Sequence, residues 1–163
     1  MDIDKTDLVE LLNLVHREIL AEAVDYPAHL RRVRPAPEEW CAMELLSHIA
    51  EMHYSYAARG DNLIANPGAA LSRPMDSPDR LAGIARGPEE TLDQALAELD
   101  EARQYAIGWL ETVQPDQLVI KGYHDSHGPM TVRDVFERTI VGHARNHLNQ
   151  LRETRRQVES AAK

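Results

Sequence analysis

Two histidines lie four residues apart near the C-terminal end of the chain, in the stretch GHARNHLNQ (142–150). On an α-helix, His143 and His147 would be separated by roughly 6 Å along the axis and would lie nearly in line around it, so both imidazoles can reach one ion. Two imidazoles make a weak metal site, whereas three make a good one that leaves a position for water or substrate. The spacing therefore indicates a divalent metal if another helix adds a third ligand. The alternative is a pair of ordinary core histidines bonded to carbonyl groups.

His48 is the candidate for the third ligand. It lies in the middle of an apolar helix face, which it shares with Cys41, Leu45, Met52 and Tyr56. Glu44 and Glu51 lie about one turn to either side of it, and either carboxylate could accept the second ring N–H of a metal-bound imidazole. An all-imidazole site suits zinc, nickel, copper or iron, and the residue types alone do not choose among these metals.

A second group of polar side chains lies in the segment YHDSHG (123–128). His124, Asp125 and His127 could line the mouth of a pocket beside the helices, or they could form a solvated turn. The short polar sequence favours the turn. Glu44, His124 and His127 are nevertheless the side chains that could serve as a catalytic base.

The remaining aromatic and imidazole side chains have weaker patterns. His53 follows His48 by five residues and would point about 140° away around a helix, which favours a surface position. His16 and His29 have no partner pattern. Trp40 is interpreted as a packing anchor at a helix start.

Four long helices must position these side chains. Apolar residues at spacings of three and four predict helices over about 5–31, 37–64 and 87–113, and a fourth from Thr131, where Thr131 and Asp134 resemble a capping box. Residues 65–87 are predicted to form a long crossover with a short helical turn. Residues 114–130 are predicted to form a loop that touches extended structure at 118–120. The fold class is therefore all-α, a four-helix bundle with a long crossover between the second and third helices.

Composition narrows the class of protein. The 163 residues carry a net charge of -9, which opposes binding to nucleic acid. Cys41 is the single cysteine, so no intramolecular disulfide can form. An acidic start and the lack of an apolar run of about 20 residues predict neither a signal peptide nor a membrane span. We expect a cytoplasmic protein with one domain over 1–155 and a frayed tail over 156–163.

Two stretches together resemble the DinB/YfiT-like family. They are EEWCAMELLSHIAEMH (38–53) and GPMTVRDVFERTIVGHARNHLNQLRE (128–153). The resemblance implies a four-helix bundle of up-up-down-down type, often a homodimer, that holds a divalent metal, usually zinc or nickel, on three histidines. By motif position these are His48, His143 and His147. Glu44 matches the acid of the family's second helix, and Gln150 matches the glutamine that ends its last motif.

The resemblance also suggests an activity. Some members of the family are thiol-S-transferases that use bacillithiol, mycothiol or glutathione. The leading hypothesis is therefore a metal-dependent transferase that joins a low-molecular-weight thiol to an electrophilic substrate. A metal-stabilised stress or scaffold protein without catalysis is one alternative, and a metal-dependent hydrolase is another. The expected partners are a small-molecule substrate and a second copy of the chain, with no nucleic acid and no membrane.

Overall fold

The computed structural model describes residues 4–163; residues 1–3, which the predicted domain includes, lie outside the described part of the chain. Its helices are α1 (Lys5–Asp25), α2 (Ala42–Ala65), α3 (Pro78–Arg86), α4 (Leu92–Thr112), α5 (Val132–Asp134) and α6 (Gly142–Ala161), and its strands are β1 (Lys121–His124) and β2 (Gly128–Thr131). A π-helical segment, Val135–Val141, joins α5 to α6, so the three form one continuous rod. Short 3₁₀ turns lie at Ala28–Leu30, Gly87–Glu89 and Gln117–Val119.

The first helix ends earlier than predicted. It stops at Asp25, because Tyr26 precedes Pro27 and adopts an extended backbone with φ -64° and ψ 127°. A residue before proline is biased away from helical angles, so the break falls at this proline rather than at Pro35. A single 3₁₀ turn follows.

The second helix begins later than predicted, at Ala42 rather than near Pro37. Cys41 is its N-cap residue, and the backbone N–H of Cys41 donates to Oε2 of Glu44 at 2.9 Å. This reciprocal cap satisfies a backbone amide at the start of the helix and occupies the carboxylate that sequence analysis had offered to the metal site.

The crossover contains a real helix rather than a single turn. α3 starts with Pro78 at its first turn and packs against α2. The approach is close, because a Cβ on Gly83 would lie 2.5 Å from Cγ of Glu51. Glycine at this position therefore lets α3 press against the part of α2 that holds His48. α4 then begins at Leu92, with Thr91 and Gln94 as a capping box, and residues 87–89 form a 3₁₀ turn.

A small hairpin stands beside the bundle where a loop was predicted. β1 and β2 pair antiparallel, with His124 opposite Gly128, which has φ 71°. The crossover runs beside β1, since the N–H of Leu71 donates to the carbonyl of Tyr123 at 2.7 Å. The predicted extended contact at 118–120 is wrong in position, because 117–119 form a 3₁₀ turn. Hydrogen bonds to the hairpin therefore hold the crossover next to residues 124–126.

The long helices surround one hydrophobic core. α1 packs against α4 and α6, and α2 packs against the same two helices. This arrangement, with a long crossover between the second and third long helices, confirms the predicted all-α four-helix bundle. No helix in residues 4–163 combines the length and the apolar character that crossing a bilayer requires.

The rod formed by α5, the π-helical segment and α6 starts at the predicted residue and continues into the segment that was predicted to be frayed. Thr131 caps it, accepting from the N–H of Asp134 at 3.1 Å. The sequence did not predict the π-helical segment, which widens the rod one turn before His143. Such segments are frequent at functional sites. α6 continues to Ala161 with Val158 buried, so the predicted frayed tail is wrong as far as residue 161.

Candidate metal centre

Three imidazoles from two helices converge between α2 and α6. The ring of His48 lies 5.1 Å from that of His143 and 4.9 Å from that of His147, measured between centroids. Nε2 of His143 and Nε2 of His147 are 3.0 Å apart, and one ligand nitrogen from each of the three residues lies within 4.8 Å of the others. Two nitrogens bound to a tetrahedral zinc at ~2.0 Å stand roughly 3.3 Å apart. Small adjustments would therefore bring all three rings onto one cation.

Burial keeps these imidazoles uncharged. It lowers the pKa of His143 to about 2, with further lowering by the neighbouring His147 and His48. Burial likewise lowers the pKa of His147 to about 4, and it lowers the pKa of His48 against the opposing effect of Glu51. Metal ligation requires the neutral ring, so the three histidines are in their metal-binding form at neutral pH.

The orientation of His147 is fixed by Gln150. Nδ1 of His147 lies 2.8 Å from Oε1 of Gln150, so the neutral ring donates its proton there and keeps a lone pair on Nε2. That lone pair faces Nε2 of His143. A cation placed between them would satisfy both nitrogens.

Glu44 and Glu51 were both predicted as possible acceptors for His48, and only Glu51 faces it. Oε2 of Glu51 lies 3.4 Å from Nδ1 of His48. Glu44 instead pairs with Arg34, whose Nε donates to Oε2 at 3.1 Å, and with the N–H of Cys41. Glu44 does not line the cavity described below, so the expectation that it acts at the site conflicts with its position as a helix cap.

An open cavity of about 590 Å³ lies over the histidines. Its walls include the side chains of Trp40, Met52, Tyr56, Met75, Arg80 and His124. The Trp40 ring lies 4.8 Å from that of His48 and 5.9 Å from that of His147. The predicted packing anchor thus forms part of the wall next to the ligands.

The 123–128 segment is divided between cavity and solvent. His124 and Asp125 line the cavity, and the N–H of Asp125 donates to Oγ of Ser72 at 2.7 Å. His127 is exposed and points toward Arg138, with Nδ1 3.4 Å from the guanidinium. His124 and Asp125 therefore lie at the mouth of a pocket, which was one of the two predicted alternatives. His127 lies in a solvent-exposed turn, which was the other.

His16 and His53 form a buried pair that the sequence did not predict. Nε2 of His16 lies 2.8 Å from Nε2 of His53, and the two residues are only 8 % and 1 % exposed. Burial lowers the pKa of His16 to about 4 and lowers that of His53 well below its usual value. The prediction that His53 lies on the surface is wrong. Nearly all residues of α2 from Ala42 to His53 are buried, so a residue that points away from His48 is still inside the protein. The available signal was that Ile49, Ala50, Tyr56 and Ala57, which lie three and four residues from His53 and so on the same helix face, are largely apolar.

Comparisons with known proteins agree with this architecture. The sequence profile of the DinB superfamily matches residues 11–151. The fold is similar to YfiT from Bacillus subtilis, at 19% identity and a TM-score of 0.76, over 98% of this chain and 90% of that one. YfiT is described as a probable metal-dependent hydrolase with an unusual four-helix bundle topology.

A second solved structure, of a protein from Streptococcus pneumoniae, is similar over 93% of this chain and 91% of that one, at 12% identity and a TM-score of 0.61. At these identities the likeness establishes the fold. None of the curated proteins compared with the chain matches it. The profile match spans most of the sequence and includes all three converging histidines, and the chain therefore belongs to the DinB superfamily.

Proposed function

We propose that the protein is a metal-dependent enzyme that transfers a low-molecular-weight thiol to an electrophilic substrate, with zinc or nickel held by His48, His143 and His147. The observation that carries the proposal is the convergence of three neutral imidazoles at an open cavity. Within residues 4–163, no other His, Cys, Asp or Glu joins them as a fourth ligand. Closed four-ligand sites are typical of structural metals, whereas three protein ligands with an open position are typical of catalytic ones.

The protein would supply position and surroundings for the chemistry. A divalent cation in this site contributes Lewis acidity and lowers the pKa of a thiol that reaches it. Trp40, Met52 and Met75 give the cavity soft, largely apolar walls suited to sulfur and to an uncharged electrophile. In the overall reaction a sulfur–carbon bond forms as the bond from that carbon to the leaving group breaks, and the proton of the thiol passes to the leaving group or to solvent.

The acids around the site favour a thiol over water as the nucleophile. Glu51 is held by Arg73 and turned toward His48, and Glu44 caps a helix. The carboxylates of the described residues that do line the cavity, Glu38, Glu39 and Asp125, are exposed. None is thus placed as a buried general base. A free thiol has a pKa of about 8.5, far below that of water, and needs less help to ionise.

His124 is the side chain best placed to assist the leaving group. Its Nδ1 accepts from the backbone N–H of Ser126 at 3.2 Å, so a neutral ring carries its proton on Nε2. Burial, followed by the neighbouring His127, lowers the pKa of His124, which keeps that neutral form populated. His124 is therefore proposed as a hydrogen-bond donor rather than as a base.

Hydrolysis is a second candidate, supported by the description of YfiT as a probable metal-dependent hydrolase. The same three ligands and the same cavity would then receive a water molecule in place of the thiol. Substrate class separates the two proposals, because a hydrolase acts on an ester or amide without any added thiol.

The experiment uses metal-loaded protein with a generic electrophile, with and without cysteine or glutathione, and in parallel with a chromogenic ester. We expect thiol-dependent conversion of the electrophile that is lost in His48→Ala and kept in His127→Ala, the matched variant whose ring lies outside the cavity. Equal rates in wild type and His48→Ala would overturn the proposal. Thiol-independent ester cleavage that requires His48 would replace it with the hydrolase.

A further inference from the structure

Arg80 is a cationic side chain of the cavity that has no carboxylate partner among the described residues. It lines the cavity, and Nη1 donates to the backbone carbonyl of Met75 at 2.7 Å. No carboxylate in the described part of the chain lies within ion-pairing distance of its guanidinium. By contrast, the second arginine of the wall, Arg73, is neutralised by Glu51 at 2.5 Å and by Asp79 at 3.1 Å.

Trp40 holds the guanidinium of Arg80 close to the three histidines. Cζ of Arg80 lies 5.3 Å from the centroid of the Trp40 ring, a cation–π contact. The same indole packs against His48 and His147, so one aromatic ring separates the charge from two of the candidate ligands. The charge of Arg80 contributes to the lowered pKa of His48, His143 and His147, which shows that all three lie within its field.

Charge is distributed unevenly through the cavity. Glu38, Glu39 and Asp125 are exposed, whereas Arg80 is partly buried and lies against Trp40. The inner end therefore combines the guanidinium of Arg80 with a site for a divalent cation. This inner end of the cavity attracts an anion. The exposed carboxylates of Glu38, Glu39 and Asp125 repel anions that are not bound there.

We propose that Arg80, held on Trp40, is an anion-binding subsite that makes the cavity selective for a small thiol bearing a carboxylate. The inference rests on the proposed thiol-transferase function. In this arrangement the thiol sulfur is directed to the three histidines, and the carboxylate of the same molecule pairs with the guanidinium. Arginine suits this role because its planar group can donate two hydrogen bonds to a carboxylate.

The test compares three small thiols on cobalt-loaded protein: mercaptopropionate, mercaptoethanol and cysteamine, which end in a carboxylate, a hydroxyl and an ammonium. Dissociation constants come from the sulfur-to-cobalt charge-transfer absorption. We expect mercaptopropionate to bind about tenfold or more tightly than mercaptoethanol, as a charge-assisted hydrogen bond implies, and cysteamine to bind most weakly. Arg80→Gln should abolish the preference for mercaptopropionate over mercaptoethanol, and Arg80→Lys should retain part of it.

Arg86→Gln is the matched control, because Arg86 lies at the other end of α3 and pairs with Glu90 and Glu98 outside the cavity. Equal binding of the three thiols, or a preference that survives in Arg80→Gln, would overturn the inference. If no thiol produces the charge-transfer band, the transferase proposal fails on its own. In that case the Arg80 subsite is tested by comparing propionate with propionamide, and binding is measured from changes in the visible absorption bands of the cobalt ion. Binding of propionate that requires Arg80 supports the subsite. Equal binding of propionate and propionamide overturns it.

Discussion

Oε2 of Glu51 lies 3.4 Å from Nδ1 of His48, and Oε1 of the same carboxylate pairs with Arg73 at 2.5 Å. One side chain of α2 thus connects a candidate metal ligand to the crossover. Carboxylates in this position orient a metal-bound imidazole and raise its basicity. The positions of α3 and of the crossover therefore bear directly on the candidate metal site.

Replacing Glu51 with Gln should lower zinc affinity by about 10- to 100-fold, because the ring of His48 loses its charged acceptor. Competition with a chromophoric chelator measures the change. Glu44→Gln is the control, since Glu44 caps α2 and pairs with Arg34. It should lower the free energy of unfolding by ~1 kcal/mol and leave zinc affinity unchanged. The assignment fails if Glu44→Gln weakens zinc as much as Glu51→Gln does.

Gly83→Ala should weaken both stability and zinc binding. The added Cβ would lie 2.5 Å from Cγ of Glu51, so α3 or the Glu51 side chain must move, at a cost of about 1–3 kcal/mol. Gly108→Ala in α4 is the matched control, because a Cβ at that position would meet no atom within 4 Å. That change should stabilise the helix by roughly 0.5–1 kcal/mol and leave zinc affinity as it was. Urea denaturation and chelator competition on both variants provide the comparison, and identical effects would contradict the close contact.

The His16–His53 pair should respond unequally to single and double replacement. His16→Leu leaves the buried Nε2 of His53 without a partner and should cost about 1–3 kcal/mol at pH 7. His16→Leu combined with His53→Met removes both polar groups and should cost less than the single change. Urea denaturation at neutral pH compares the three proteins. A double variant less stable than the single one would show that the pair stabilises the fold directly.

Acid should destabilise the metal-free protein partly through His16. Its pKa is lowered from 6.5 in an unperturbed histidine to about 4 in the fold, so between these values the unfolded chain binds more protons than the folded one. Stability contributed by neutral His16 is thus fully present above pH 6.5 and falls as the pH drops toward 4. The loss is about 3 kcal/mol for this residue. The double variant should show a correspondingly flatter curve of unfolding free energy against pH, and an equally steep one would refute the assignment.

The sequence predicted those features that depend on periodicity. The predicted buried face of α1 consisted of Leu8, Leu11, Leu12, Val15, Ile19 and Ala23, and all of these except the partly buried Leu11 are buried. The spacing of His143 and His147 likewise predicted that both rings lie on one side of the last helix. The exact residues at which helices begin and end were harder to predict, because each depends on a single proline or capping residue. Pro27 ended α1 before the more conspicuous prolines of RPAP, and Cys41 capped α2 after them.

The parts of the site that sequence analysis missed depend on contacts between distant segments. His16 and His53 meet across two helices, and Arg80 reaches Trp40 only because α3 folds back over α2. Glu44 and Glu51 are nearly equivalent in spacing from His48, so helical geometry alone could not choose between them. The two acids differ in their partners, because Arg34 pairs with Glu44 and Arg73 pairs with Glu51.

The proposed function requires that three imidazoles hold one divalent ion and leave a coordination position open. X-ray absorption spectroscopy of the zinc-loaded protein measures this directly. We expect one zinc per chain with three imidazole nitrogens at about 2.0–2.1 Å and one further light ligand from solvent, and loss of one imidazole from the fit in His48→Ala. A protein that retains no zinc, or a zinc shell unchanged by His48→Ala, would contradict the account.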